Sequence, residues 1–152
     1  MKEARGKSFE IHGVCFSLIR LGNGVNMIDG IRPGAVIFTG DHRRLAKFYK
    51  AVAGLTLSYE DDQITVLRSE SFELVIHALP REPSAVEPLA AREDCYIKPF
   101  FPVTSLAETR KRAAEMGGRL RPENKEWEAR GFRACEAIDP DGNVIQFREL
   151  AS

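Results

Sequence analysis

The chain has 152 residues, 43% of them hydrophobic and 29% charged, with 22 basic and 22 acidic side chains. That length fits one compact domain or two small fused modules of ordinary soluble composition. Zero formal charge argues against nucleic acid as the main partner, because phosphate binding draws on a basic excess. No apolar run approaches the ~20 residues that span a bilayer. Residues 14–21 are too short, are broken by Ser17 and Arg20, and lack a signal-peptide cleavage pattern. The cysteines Cys15, Cys95 and Cys135 show neither CxxC nor Cys/His spacing. They predict neither a disulfide framework nor a zinc site, and a reducing cytoplasm is the simplest setting.

In chain order, residues 1–33 form an N-terminal extension or arm. Residues 8–21 are mixed and weakly strand-like, and Leu21-Gly22-Asn23-Gly24 is a turn or linker signal. Met27 is a candidate start codon, with an added arm packed on the core as the alternative. From Gly34 the pattern sharpens. Gly34 to Thr39, with Ala35, Val36, Ile37 and Phe38, make a short buried strand bounded by Gly34 and Gly40. Asp41 is an N-cap, Leu45, Phe48, Tyr49 and Val52 recur at helical spacing, and Gly54 is a stop. Residues 55–60, 63–68 and 72–79 read as strands separated by Asp61-Asp62 and by 69–71. The first module spans 34–80 and the linker, carrying Pro80, Pro83 and Pro88, spans 81–94.

The second module, 95–152, repeats the order. Residues 96–103 form a strand bent by Pro99 and Pro102. Thr104 or Ser105 caps a helix, with Glu108 at capping-box spacing from Ser105, and its inward stripe is Leu106, Thr109, Ala113 and Met116. A short strand at 119–121, a long polar loop at 122–131 and strands at 132–138 and 144–149 follow. Between the last two, Asp139-Pro140-Asp141-Gly142-Asn143 is a tight turn: Pro140 presets φ, Gly142 admits positive φ, and Asp139 and Asn143 bond the backbone. The predicted class is therefore α+β, two βαβββ modules whose mixed sheets curve around a cleft. Element order, rather than residue identity, carries the repeat.

This pattern resembles the vicinal-oxygen-chelate superfamily, which includes glyoxalase I, extradiol dioxygenases and bleomycin- and fosfomycin-resistance proteins. The resemblance rests on Gly40-Asp41, Phe48-Tyr49 and Gly54-Leu55, then on residues 113–118, Gly131-Phe132-Arg133 and Asp139 to Asn143. It implies a cleft lined by one position on each of four strands, where metal-using members keep their ligands. Here those positions look like Gly34, His77, Lys98 and Gln146. Glycine offers no donor, an ammonium no lone pair, and a neutral amide is a weak ligand, so only His77 suits a divalent ion. No cofactor is expected. A divalent metal (Zn, Ni, Mn or Fe) belongs only to the alternative of a metal-dependent lyase, isomerase or dioxygenase, which would need other donors such as Glu73, Glu136 or Glu149.

The candidate ligand-binding residues are Phe38, His77, Lys98, Phe100, Trp127 and Gln146; no catalytic residue is assigned. Phe38 and Phe100 lie at even offsets from the first and fifth ligand-bearing strand positions, so they share that face or pack in the core. Gln146 lines the cavity or faces solvent. Arg148 shares its face and reads as a surface ion-pair partner. Trp127 covers a ligand, as the resemblance to bleomycin-resistance proteins implies, or anchors its loop. Glu123, Glu126 and Glu128 around Trp127 favour a cationic ligand, whereas Lys98 favours an anion, and the sequence leaves that conflict open. Cys135 reads as a small buried residue. The leading expectation is a metal-free, cytoplasmic, homodimeric protein binding a small organic molecule, with no nucleic-acid or membrane partner. An enzyme and a protein-interaction module are the competing classes.

Overall fold

The computed structural model describes residues 31–79 and 90–151 in full, and before them the backbone of three strands. Contacts divide the chain into two compact units, Met1–Pro33 and Gly34–Ser152. The first unit holds β1 (Ser8–Ile11), β2 (Val14–Arg20) and β3 (Asn26–Ile28), an antiparallel sheet in that order. Met27 falls within β3; its side chain and most of the proline-rich linker lie outside the described residues.

The second unit opens with β4 (Gly34–Thr39), α1 (His42–Ala53), β5 (Thr56–Glu60), β6 (Ile64–Arg68) and β7 (Glu73–Ala78). The Asp41 side chain accepts from the Arg44 N–H at the start of α1, and Gly54 closes the helix in the left-handed region at φ 65°. Asp61 turns β5 into β6 by accepting from the Gln63 and Ile64 amides. The sheet order is β4-β7-β6-β5, with β4 parallel to β7 and the other pairs antiparallel.

The second half continues with β8 (Phe100–Pro102), α2 (Leu106–Glu115), β9 (Arg119–Leu120), β10 (Trp127–Ala129), β11 (Phe132–Ile138) and β12 (Val144–Leu150). Its sheet repeats the first: β8 is parallel to β12, β12 antiparallel to β11, and both β9 and β10 lie antiparallel along β11. The α+β fold of two βαβββ modules therefore stands. Two boundaries differ from expectation. The strand predicted over 96–103 keeps only Phe100–Pro102, so Lys98 precedes β8 rather than lying in it. The polar loop predicted over 122–131 contains a 3-10 turn, Glu123–Lys125, and the strand β10. The reason is pairing: β9 meets β11 at Ala137 and Ile138, β10 meets it at Phe132 to Ala134, and the residues between bulge out of one interrupted edge strand.

One core joins the modules. Leu45, Phe48, Tyr49 and Val52 of α1 and Leu106 and Ala113 of α2 pack with Leu74 and Ile76 of β7 and with Phe101, Ile145 and Phe147. Met116, predicted inward, is instead the exposed C-cap of α2. The Asp139 turn is the polar joint. Asp139 accepts from the Tyr49 hydroxyl (2.8 Å), the Asn143 amide side chain and the backbone N–H groups of Asp141 and Asn143. Asp141 accepts from the Thr39 hydroxyl and pairs with Arg44 at 2.6 Å. Burial raises the Asp139 carboxyl above its usual range despite these donors, and burial followed by the Asp139 charge raises the Tyr49 phenol.

Candidate functional site

Strand alternation decides which side chains face the core. Ile37, Leu74, Ile76, Phe101, Cys135, Ala137, Ile145 and Phe147 pack inward. Their neighbours stand on the opposite, open faces of the sheets. On the first module that face carries Val36, Phe38, Val75 and His77; on the second, Phe100, Glu136, Gln146 and Arg148. Val36 is 58% exposed, Phe38 53% and Phe100 54%, so none of the three is a core residue.

The two helix caps fix how the modules correspond. Asp41 caps α1 and Ser105 caps α2, each accepting from the amide three residues on. Counting back from the caps, Gly34 matches Lys98, Val36 matches Phe100 and Phe38 matches Pro102. Ladder pairing then sets the partners: Val36 lies opposite Val75 and Phe100 opposite Gln146, while Phe38 lies opposite His77 and Pro102 opposite Arg148. Val75 thus occupies the place of Gln146, and His77 occupies the place of Arg148. The sequence register that grouped His77 with Gln146 was two residues out. It took histidine as the best donor, whereas the pairing puts valine in that row.

The fourfold set is then Gly34, Val75, Lys98 and Gln146, and its donor chemistry does not fit a divalent ion. Gly34 is bare for a packing reason: a Cβ there would sit 2.3 Å from the Glu73 carbonyl oxygen. Lys98 is held by Glu136 at 2.5 Å. The Gln146 amide oxygen accepts from Arg148 Nε. His77 donates from Nδ1 to the Ala78 carbonyl (2.9 Å), which leaves Nε2 with the lone pair, and its ring lies 5.5 Å from that of Phe38. The other carboxylates that a metal would need are engaged too. Glu73 pairs with Arg68, and Glu149, on the core side, binds Arg133 and the Leu106 amide. Among the described residues no three His, Cys, Asp or Glu side chains gather at metal distance.

The structure splits the six sequence-predicted site residues into two groups. Phe38 and His77 meet on the first sheet. Lys98, Phe100, Trp127 and Gln146 share the second, where the rows Phe100–Gln146–Glu136 and Pro102–Arg148–Ala134–Trp127 run across the strands. Among the described residues no hydrogen bond or ring contact joins one open face to the other. Beside the second face lies a cavity of about 360 Å³ lined by Arg121, Pro122, Lys125, Trp127 and Glu136. That volume falls within the range of small-molecule sites.

Sequence reading undervalued Arg148. Among the described residues it makes no ion pair; its guanidinium lies 3.6 Å from the centroid of Phe100 and 4.5 Å from that of Phe132. Lost hydration and the charge of Arg130 lower its pKa, yet an arginine stays charged. Arg121 and Phe132 were missed as well. Alternation through Phe132, Ala134 and Glu136 is the signal for Phe132; Arg121 had none, because it follows a strand of two residues. Cys135 is buried, and burial raises its thiol pKa, as befits a packing residue rather than a nucleophile.

Comparison with known proteins agrees with this architecture. The glyoxalase-like domain family matches residues 34–147. A glyoxalase/bleomycin resistance protein/dioxygenase family enzyme from Burkholderia phytofirmans superposes with a TM-score of 0.59 at 16% identity, covering 78% of this chain and 97% of that one. The fosfomycin resistance protein FosX from Mesorhizobium loti gives 0.57 at 17% identity, covering 82% and 95%. FosX from Listeria monocytogenes gives 0.57 at 16%, covering 83% and 94%. At such identities the likeness concerns fold alone. No curated protein matches the chain. With three quarters of its length matched by the family and the duplicated sheet order in place, the chain belongs to the glyoxalase-like family.

Proposed function

We propose that this protein binds a small organic molecule against its open sheet faces without a catalytic metal. The observation that carries the reading is the set Gly34, Val75, Lys98 and Gln146, where a glycine, an aliphatic side chain, a paired ammonium and an amide replace anionic or imidazole donors. A Listeria FosX variant has been crystallised with Mn(II) and a dihydroxypropylphosphonic acid; Gly34, Val75, Lys98 and Gln146 offer such an ion no matching grip. Among the described residues no hydrogen bond or ring contact joins the two open faces, and a second copy would supply the opposite wall of a cleft. We therefore infer a homodimer in which the apolar face around Val36 and Phe38 closes over the polar face around Gln146. Burying such half-exposed aromatics supplies the driving force. No described helix is long and apolar enough to cross a membrane, and the exposed, unpaired Cys95 suits a reducing cytoplasm.

Elemental analysis of the purified protein, with sedimentation in parallel, tests this. The expected result is substoichiometric metal, a dimer, and a shift towards monomer in Phe38→Glu. One tightly held Zn, Ni, Mn or Fe per chain that is lost in His77→Ala would overturn it and promote a metal-dependent lyase, isomerase or dioxygenase.

A further inference from the structure

The sequence leaves the charge preference of the site undecided, with glutamates around Trp127 opposing Lys98. The structure separates these groups. Glu126 is drawn to the helix side, where it pairs with Arg110 and Arg133. Glu128 stands opposite Arg133 in the β10–β11 ladder and so points away from the face that Trp127 shares with Ala134 and Arg148. Glu136 remains on the open face, but Lys98 neutralises it.

Among the described residues of the open face itself, what is left uncompensated is cationic. Arg148 has no carboxylate partner among the described residues, and its guanidinium lies against two aromatic rings with Nε already given to Gln146. The terminal guanidinium N–H groups therefore keep their donors for something else. Arg130 lies 5.4 Å from the centroid of the same Phe132 ring and, among the described residues, also forms no ion pair. Lys125 lines the cavity next to Trp127. On the face that a second copy would bring, Glu73 is already paired with Arg68. Trp127 and Arg148 are separated in the sheet by Ala134 alone, about 10 Å at the usual strand spacing, and the alanine between them is fully buried.

Building on the cleft-binding reading, we propose that the second module's face takes a flat organic anion, with Arg148 receiving the oxyanion and Trp127 stacking on the ring or unsaturated frame. A planar guanidinium pre-oriented by stacking suits bidentate pairing with a carboxylate or similar group. The aromatic wall suits the apolar remainder of the molecule.

The chain has a single tryptophan, so the indole N–H resonance of Trp127 reports on this site by heteronuclear NMR. Benzoate, benzamide and benzylammonium, equal in size and different in charge, are titrated against the full-length protein. Benzoate is expected to shift that resonance saturably and to bind roughly tenfold or more tightly than benzamide, the scale of one charge-assisted hydrogen bond. Benzylammonium is expected to bind weakest. In Arg148→Gln, benzoate falls to the level of benzamide, whose own affinity does not change. If Arg148→Gln fails to fold, Arg130→Asn removes the neighbouring charge at a position whose φ of 48° asparagine accepts, and a smaller loss of the same preference is expected. Equal binding of benzoate and benzamide, or a preference that survives Arg148→Gln, would overturn the anion assignment and leave the cleft reading standing. If none of the probes reaches Trp127, both readings fall.

Discussion

The two modules share a strand order and a register but present unlike open faces. In the first, Val36, Val75, Val66 and Tyr59 lie side by side across four strands. In the second, the corresponding surface holds Gln146, Glu136 and Arg148 next to Phe100 and Trp127. Backbone pairing has been kept while the side chains have diverged, since inward positions answer to one shared core and outward ones answer only to what binds them. One half supplies an apolar wall and the other supplies charge.

The row Gly34 and Lys98 offers the sharpest way to break this comparison. Gly34→Ala drives a Cβ into the Glu73 backbone, and parting β4 from β7 should cost about 3 kcal/mol, the upper end of overpacking effects. Lys98→Ala, at the matching place, should cost well under about 1 kcal/mol, since its ion pair is partly solvated. Urea unfolding measures both; similar losses would show that the two places do not differ in crowding as described.

A smaller effect is expected at the joint. Asp141→Ala strands the Thr39 hydroxyl and the Arg44 guanidinium, and loss of hydrogen bonds to a charged group should destabilise by about 2 kcal/mol. If unfolding then ceases to be two-state, the modules were held together by this turn more than by the helices.

The weakest expected effect is on pH dependence. The folded Asp139 carboxyl titrates above its usual value, so between the unfolded and folded pKa values the native state binds more protons. Stability from this group therefore falls as pH rises through that window and stays flat above it. Compared with Asp139→Asn, the parent protein should lose ground from acid towards neutral pH. A parent that gains instead would mean that its donors outweigh burial.

Much of this was legible in the chain. Caps at Asp41 and Ser105, apolar periodicity in α1 and the Asp139 turn are local signals, and each gave its element correctly. The register of β7 was not, because Val75 and His77 share one face of the strand with nothing local to say which one meets the cleft; only the parallel partner β4 decides. The fate of Glu126 was equally hidden, since it depends on Arg110 one helix away. Half-exposed Phe38 and Phe100 could be placed on a face from sequence, but not told apart from core residues without the second layer.

Each half is closed by pairing its first strand with its last, β4 with β7 and β8 with β12. Gly34 must wait on the ribosome for Glu73, and Phe100 for Gln146, before either sheet is complete. Such long-range closure slows folding relative to local hairpins. It also makes each half a unit of synthesis, with the amino-terminal half able to pair its strands while the other is still being translated.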